Sequence, residues 1–139
     1  MKGTDMETKF NFNSQICTTR EQSDRLLALD LKQETADMKY PCTREYYGGV
    51  LTEGTSSLPI IIDTEDDDIT EYDTPAWSLH RLIEMMPNVI GTQGWLSIGH
   101  QGLHYSRGYG VADDGLYESI VRMYEWLIKE GYFNKEYLV

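Results

Sequence analysis

The clearest helix signal in this sequence is Gly115-Leu-Tyr-Glu-Ser-Ile-Val-Arg-Met-Tyr-Glu-Trp-Leu-Ile-Lys-Glu-Gly131. Asp114 is predicted to cap its first free backbone N–H groups, and Gly131 to end it in the left-handed conformation. Two neighbouring apolar stripes run between these ends: Leu116, Ile120, Met123 and Leu127 on the first, and Tyr117, Val121, Tyr124 and Ile128 on the second. Because two such stripes bury much of a helix's circumference, we expect this helix to be a scaffold that holds the preceding hairpin.

The size and composition of the chain indicate one domain. It has 139 residues, of which 40% are hydrophobic and 12% aromatic, enough for a single core. We expect residues 16–139 to form this domain and residues 1–15 to be a flexible arm or an edge strand. No apolar run approaches the roughly 18 residues of a membrane span, and no signal core is present, so we predict a cytoplasmic protein without a membrane partner. Cys17 and Cys42 are expected to be buried free thiols.

The charge of the chain is strongly negative and unevenly distributed. It has 23 acidic and 12 basic residues, for a net charge of −11, which argues against general nucleic-acid binding. Seven acids and no base lie in one run: Asp63, Glu65, Asp66, Asp67, Asp68, Glu71 and Asp73. Residues 85–112, called here the acid-free segment, contain no acid at all. We predict that the acidic run is a solvated loop and that the acid-free segment is the part of the chain most attractive to an anion.

Local patterns predict the other elements. They are a helix from a Thr18–Glu21 capping box to about Leu29 with Ile16 among its apolar contacts, a helical turn over 34–38, strands over 40–50 and 58–62, a helix over 74–86, a hairpin of Trp95–Gly99 and Leu103–Arg107, and a tail, 132–139, that docks on the core or a partner. Pro75 is placed in the first turn of its helix, where no N–H partner is lost. Together these elements predict an α+β fold, with a small, mainly antiparallel sheet packed with about three helices.

Six residues of the acid-free segment are candidates for ligand binding: Trp95, His100, His104, Tyr105, Arg107 and Tyr109. Aromatic faces stack on bases, arginine and histidine bind phosphate, and glycines in the segment let backbone N–H groups approach an anion. This combination predicts a site for a small nucleotide-like anion, near the hairpin and the N-terminal end of the last helix. The alternative is that an aromatic hairpin packed against helices needs the same residues to fill space.

The sequence shows no motif for catalysis or metal binding. His100 and His104 are four residues apart, but they lie across a predicted turn with no third ligand nearby. The run 63–68 has an aspartate where a calcium loop needs its glycine. Ser78 is outside a nucleophile elbow, and residues 108–110 lack the rest of a dinucleotide-binding loop. We therefore predict no catalytic residue, no metal site and no cofactor.

Three blocks of the sequence carry a resemblance to a known family. They are Ile16-Cys-Thr-Thr-Arg-Glu-Gln-Ser-Asp-Arg-Leu-Leu-Ala-Leu29 with Glu34-Thr-Ala-Asp-Met38, then Thr74-Pro-Ala-Trp-Ser-Leu79, and Glu125-Trp-Leu-Ile-Lys-Glu-Gly-Tyr-Phe-Asn-Lys-Glu-Tyr-Leu138. These blocks, under half of the chain, resemble a family of small uncharacterised proteins from phages and mobile elements of gut bacteria. The resemblance implies a setting in which small non-catalytic proteins block or sequester parts of host defence. It brings no established active site, so no functional residue is carried over.

Three functions follow as hypotheses. The leading one is a non-enzymatic binding protein of phage type that sequesters a nucleotide-derived host defence signal. The alternative is an acidic inhibitor or adaptor that binds a host protein and takes no small-molecule ligand, and the third is a nucleotide hydrolase. The sequence does not define the oligomeric state, although a homo-oligomer with a pocket at a two-fold interface would suit so small a chain.

Overall fold

A computed structural model describes residues 14–55, 58–62, 69–70, 72–100, 102–112 and 115–139, with backbone alone for 43–47 and 51–55. Within these residues the helices are α1 (Arg20–Ala28), α2 (Leu79–Met85) and α3 (Leu116–Lys129). The strands are β1 (Met38–Tyr40), β2 (Cys42–Tyr47), β3 (Val50–Thr55), β4 (Ile60–Ile61), β5 (Thr74–Ala76), β6 (Val89–Ile90), β7 (Gly94–Ile98), β8 (Gly102–Tyr105) and β9 (Gly110–Ala112). The predicted α+β fold is confirmed. Most of the predicted arm lies outside the described residues.

The strands form antiparallel sheets, as the sequence predicts. One sheet has the order β4-β1-β5, β2 and β3 form a hairpin, and the third sheet is the meander β6-β7-β8-β9. The β2–β3 turn is Gly48-Gly49, whose φ angles of 57° and 84° are the left-handed pair that two-residue hairpin turns require. The predicted hairpin of the acid-free segment is therefore the middle of a four-stranded sheet.

Helix α3 is the centre of the main core. Its two predicted stripes are confirmed, because each of their members is buried or half-buried. The helix packs on β8 and β9 and on α1, and its buried side chains join Trp77, Leu82 and Tyr105 in one cluster. One face of the meander, called here the inner face, therefore lies against α3.

The two ends of α3 differ from each other. Gly131 has φ 79°, Gly131 N–H donates to Ile128 O (3.2 Å), and Tyr132 N–H donates to Leu127 O (2.9 Å). This pair of bonds is a Schellman ending, so the predicted role of Gly131 is confirmed. The predicted cap Asp114 lies outside the described residues, and the N-cap position belongs to Gly115, which has no side chain to offer.

The predicted capping box of α1 is wrong by one residue. Thr19 is the N-cap, its Oγ1 accepts the Gln22 N–H (3.1 Å), and the Gln22 side chain accepts the Thr19 N–H (3.0 Å). Thr18 is buried instead and accepts the Trp77 N–H (3.0 Å). Ile16, expected among the apolar contacts of α1, is 59% exposed.

The predicted helix over 74–86 is wrong in its first turn. Residues Thr74–Ala76 form β5, where Pro75 pairs with Lys39 at the edge of a sheet and a missing N–H is tolerated. Ser78 then caps α2 by accepting the Arg81 N–H (3.2 Å). Similarly, the helical turn expected over 34–38 is a 3₁₀ turn over Gln33–Thr35, because Met38 already belongs to β1.

The C-terminal tail docks on the core, as predicted. Phe133 is buried and its ring lies 5.0 Å from that of Tyr124. Leu138 pairs with Leu31 in an isolated bridge. Both cysteines are free, but only Cys17 is buried, so the expectation of burial is wrong for Cys42.

Candidate functional site

The six predicted ligand-binding residues do not share one surface. All belong to the meander or its turns, and the register of the strands separates them, because successive side chains of a strand point to opposite faces. Trp95 and His104 are exposed on the outer face, Tyr105 and Tyr109 lie on the side of α3, and His100 and Arg107 are exposed in the turns before and after β8.

Tyr105 is a core residue. Its side chain is buried and its hydroxyl donates to Pro87 O (2.8 Å). Burial disfavours the phenolate and raises the pKa of Tyr105 to about 12. The ring fills the space between β8 and α3, as the packing alternative expected of the aromatic hairpin.

Glycines of the meander are explained by close strand packing. A Cβ at Gly110 would lie 2.8 Å from the His104 Cβ, and a Cβ at Gly102 would lie 2.9 Å from the Ala112 Cα. Side chains therefore cannot be added at these two positions without moving a neighbouring strand. The predicted use of glycine, to admit an anion to the backbone, is not needed to account for them.

A groove between the β8–β9 turn and α3 contains the best candidate site. The Tyr109 ring stacks on the Trp126 ring with centroids 4.6 Å apart and planes inclined by 6°, and Tyr132 lies on another side of Trp126 at 5.4 Å. The groove has a volume of about 320 Å³ and is lined by Tyr109, Arg122, Glu125, Trp126 and Lys129. Such a volume is at the lower end of the range for small-molecule sites.

The electrostatics of this groove favour an anion. Arg25 binds both acids on the adjoining side of α3, with its guanidinium nitrogens 2.7 Å from the nearest Glu118 oxygen and 3.1 Å from Glu125. The hydrogen bond with Glu118, in particular, raises the pKa of Arg25. The groove lining has two cations, Arg122 and Lys129, and one carboxylate, Glu125, whose charge Arg25 partly offsets.

Of the five residues that line the groove, Tyr109 alone is predicted from the sequence, although a usable signal exists for three of the other four. Arg122, Trp126 and Lys129 are spaced i, i+4 and i+7, which puts them on one side of α3, away from its two apolar stripes. The sequence predicts a scaffold role for this helix and a ligand near its N-terminal end. The groove lies along its second half instead.

The described part of the acidic run supplies a buried ion pair. Of the acidic run, Asp73 alone is described, and its buried carboxylate binds Lys39 (3.4 Å), so for this residue the predicted solvated loop is wrong. Within the described residues, no three histidine, cysteine, aspartate or glutamate side chains are grouped in a way that could hold a metal ion. The other acids of the run lie outside the described residues, so its role stays a prediction.

Comparison with models of known families, with curated proteins and with solved structures finds no match to this chain. The site is therefore interpreted from its own geometry.

No helix in the described part of the chain is both long enough and apolar enough to cross a bilayer.

Proposed function

We propose that this chain is a non-catalytic binding protein that holds a small nucleotide-like anion in the groove beside α3. The observation that carries the proposal is the stacked pair Tyr109–Trp126 placed next to the exposed cations Arg122 and Lys129. An aromatic plane and a positive charge are the two features that a nucleotide base and its phosphate require.

The aromatic part of the groove is preorganised. Trp126 is held between Tyr109 and Tyr132, so its ring needs no reordering when a ligand arrives. A base would extend this stack on the face of the Tyr109 ring that is turned away from Trp126. Base–aromatic stacking of this kind contributes about 1–3 kcal/mol per base.

The charged part of the groove supplies attraction without a nucleophile or a general base. Its cations are an arginine and a lysine, and its carboxylate, Glu125, is bound to Arg25. The cations can bind phosphate oxygens, and the described residues that line the groove include no serine, cysteine or histidine. This composition supports retention of a ligand in preference to its hydrolysis.

The biological role that we propose is sequestration of a nucleotide-derived host defence signal. This part of the proposal comes from the resemblance of three sequence blocks to phage and mobile-element proteins. A small non-catalytic protein with one anion-binding groove suits that role, because it acts by lowering the free concentration of its ligand.

Isothermal titration calorimetry of the full chain against mononucleotides, cyclic dinucleotides and ADP-ribose-type nucleotides tests the proposal. We expect at least one of them to bind, and both Arg122→Gln and Lys129→Gln to weaken binding about tenfold or more, because each removes a charge-assisted hydrogen bond. Lys135→Gln is the matched control: it removes the same charge from an exposed lysine outside the groove. Tyr109→Leu tests the stacking with the charges intact.

Two results would contradict this function. Absence of binding at ligand concentrations of about 1 mM would exclude nucleotide-like anions as ligands. Equal affinity in the wild type and in both groove variants would exclude the groove as the binding site. Chromatography of the ligand after incubation tests the non-catalytic part: recovery of intact ligand supports it, and conversion of the ligand would show an enzyme.

A further inference from the structure

The outer face of the meander has the composition of a protein interface. Its outward-facing positions, read from the strand register, are Val89, Trp95, Ser97, Gly102, His104, Gly110 and Ala112. None of these is an acid, a lysine or an arginine, in a chain whose net charge is −11. A solvated sheet face is normally polar, and depletion of charge around an exposed aromatic residue is typical of interface cores.

A projection and a depression lie side by side on this face. Trp95 is 61% exposed and Val89, its cross-strand partner, is 68% exposed, so together they project from β7 and β6. Across β8 and β9 lies a shallow depression of about 340 Å³ that includes Gly102, His104, Gly110 and Ala112. Its glycines cannot carry larger side chains because of the neighbouring strands, which keeps the depression open.

We infer that this outer face binds a second copy of the chain, with Trp95 of each copy seated in the depression of the other. A projection and a receptor on one face are self-complementary under a two-fold axis, which is the usual symmetry of a homodimer. The charge of the chain limits where two copies can meet. Two copies with a net charge of −11 repel each other, and this face lets them meet with no carboxylate on the strands in contact.

The proposed dimer is independent of the nucleotide groove. The groove lies beside α3 on the inner side of the meander, whereas Trp95 and the depression lie on the outer side. Dimerisation therefore requires no ligand, and removal of the groove cations is expected to leave it unchanged.

Sedimentation velocity of the full chain up to about 100 µM tests the inference. We expect a concentration-dependent dimer that becomes stronger with added salt, because salt screens the net repulsion and no ion pair forms across the face. Trp95→Glu places a carboxylate at the centre of the interface and is expected to raise the dimer dissociation constant at least about thirtyfold. Ala112→Arg, which fills the depression and leaves Trp95 in place, should have a similar effect.

Ile16→Glu provides the matched control, because Ile16 is 59% exposed but lies outside the meander. Circular dichroism of each variant checks that the fold is retained. A dimeric wild type and control with monomeric Trp95→Glu and Ala112→Arg supports the inference. A wild type that stays monomeric at about 100 µM, or a dimer that survives both face variants, overturns it.

Discussion

Asp73 belongs to the acidic run, but its side chain is buried and hydrogen-bonded. Its carboxylate accepts the Cys42 N–H (2.9 Å), the Thr70 N–H (3.0 Å) and the Thr70 hydroxyl (3.1 Å), and it lies 3.4 Å from Lys39 Nζ. Its side chain is 8% exposed. Burial acts to raise its pKa, but the hydrogen bonds and the charge of Lys39 together outweigh burial and lower the pKa below the usual value for an aspartate.

Replacement of this carboxylate is predicted to change stability in a pH-dependent way. Because the pKa of Asp73 is lower in the folded state than in the unfolded state, its stabilising contribution is complete at neutral pH and is lost as the pH falls below about 4 and through the folded-state pKa. Asp73→Asn should therefore be less stable than the wild type at pH 7, with a difference that shrinks in acid. Urea unfolding of both proteins at pH 7 and at about pH 3 measures this difference.

The control for this experiment is Asp24→Asn, which removes an exposed carboxylate from α1. A surface change of this kind is expected to stay within about 0.5 kcal/mol of the wild type. If the loss of unfolding free energy in Asp73→Asn were the same at pH 7 and at about pH 3, the charge of Asp73 would not be what stabilises the fold.

At the scale of the element, the end of α3 depends on a backbone conformation. Gly131 adopts φ 79°, and no atom would lie within 4 Å of a Cβ at this position. The added methyl group of Gly131→Ala would contact no atom. We expect this variant to lose about 1 kcal/mol of unfolding free energy, because alanine disfavours the left-handed conformation. Chemical denaturation measures the loss of unfolding free energy.

Gly91→Ala is the matched control for the helix end. Gly91 also has open space around its Cβ direction but does not have a positive φ. Alanine there should be neutral or slightly stabilising, since it reduces the entropy of the unfolded chain. Equal losses in the two variants would contradict the assignment of the cost to the backbone of Gly131.

The elements that the sequence predicted well are those with local signals. The periodicity of α3 and the glycine after it act over neighbouring residues. The strand predicted over 40–50 is wrong in its last residues, because the chain turns at Gly48-Gly49 and Val50 already belongs to β3. The start of α2 was not predicted, because Pro75 suits both the first turn of a helix and the edge of a sheet. The contact of β5 with β1 decides between them, and that contact joins residues far apart in the chain.

At the scale of the whole molecule, the C-terminal tail closes the fold against the segment after α1. Val139 N–H donates to Asp30 O (2.7 Å), and Lys32 N–H donates to Tyr137 O (2.8 Å). Phe133 anchors the tail in the core, with ring centroids 5.0 Å from Tyr124 and 6.0 Å from Tyr137. The tail therefore contributes to the stability of the domain.

Phe133→Ala is predicted to lower the unfolding free energy by about 3–5 kcal/mol, because it leaves a cavity beside α3. Val139→Ala is the control, since Val139 is 89% exposed and its backbone bond is retained. Guanidinium unfolding compares the two variants with the wild type. A loss below about 1 kcal/mol for Phe133→Ala would mean that the tail is not part of the cooperative fold.

Local sequence patterns are sufficient to predict the α+β class, the two buried stripes of α3, its glycine ending and the hairpin of the acid-free segment. Each depends on interactions between residues close in the chain, whose periods of 3.6 and 2 can be read directly. Contacts between residues far apart in the chain determine which side chains meet. The strand register put Trp95 and Tyr105 on opposite faces, and the packing of α3 brought Trp126 onto Tyr109. A shift of one residue in a strand exchanges its faces, so local patterns cannot assign a site that spans a sheet and a helix.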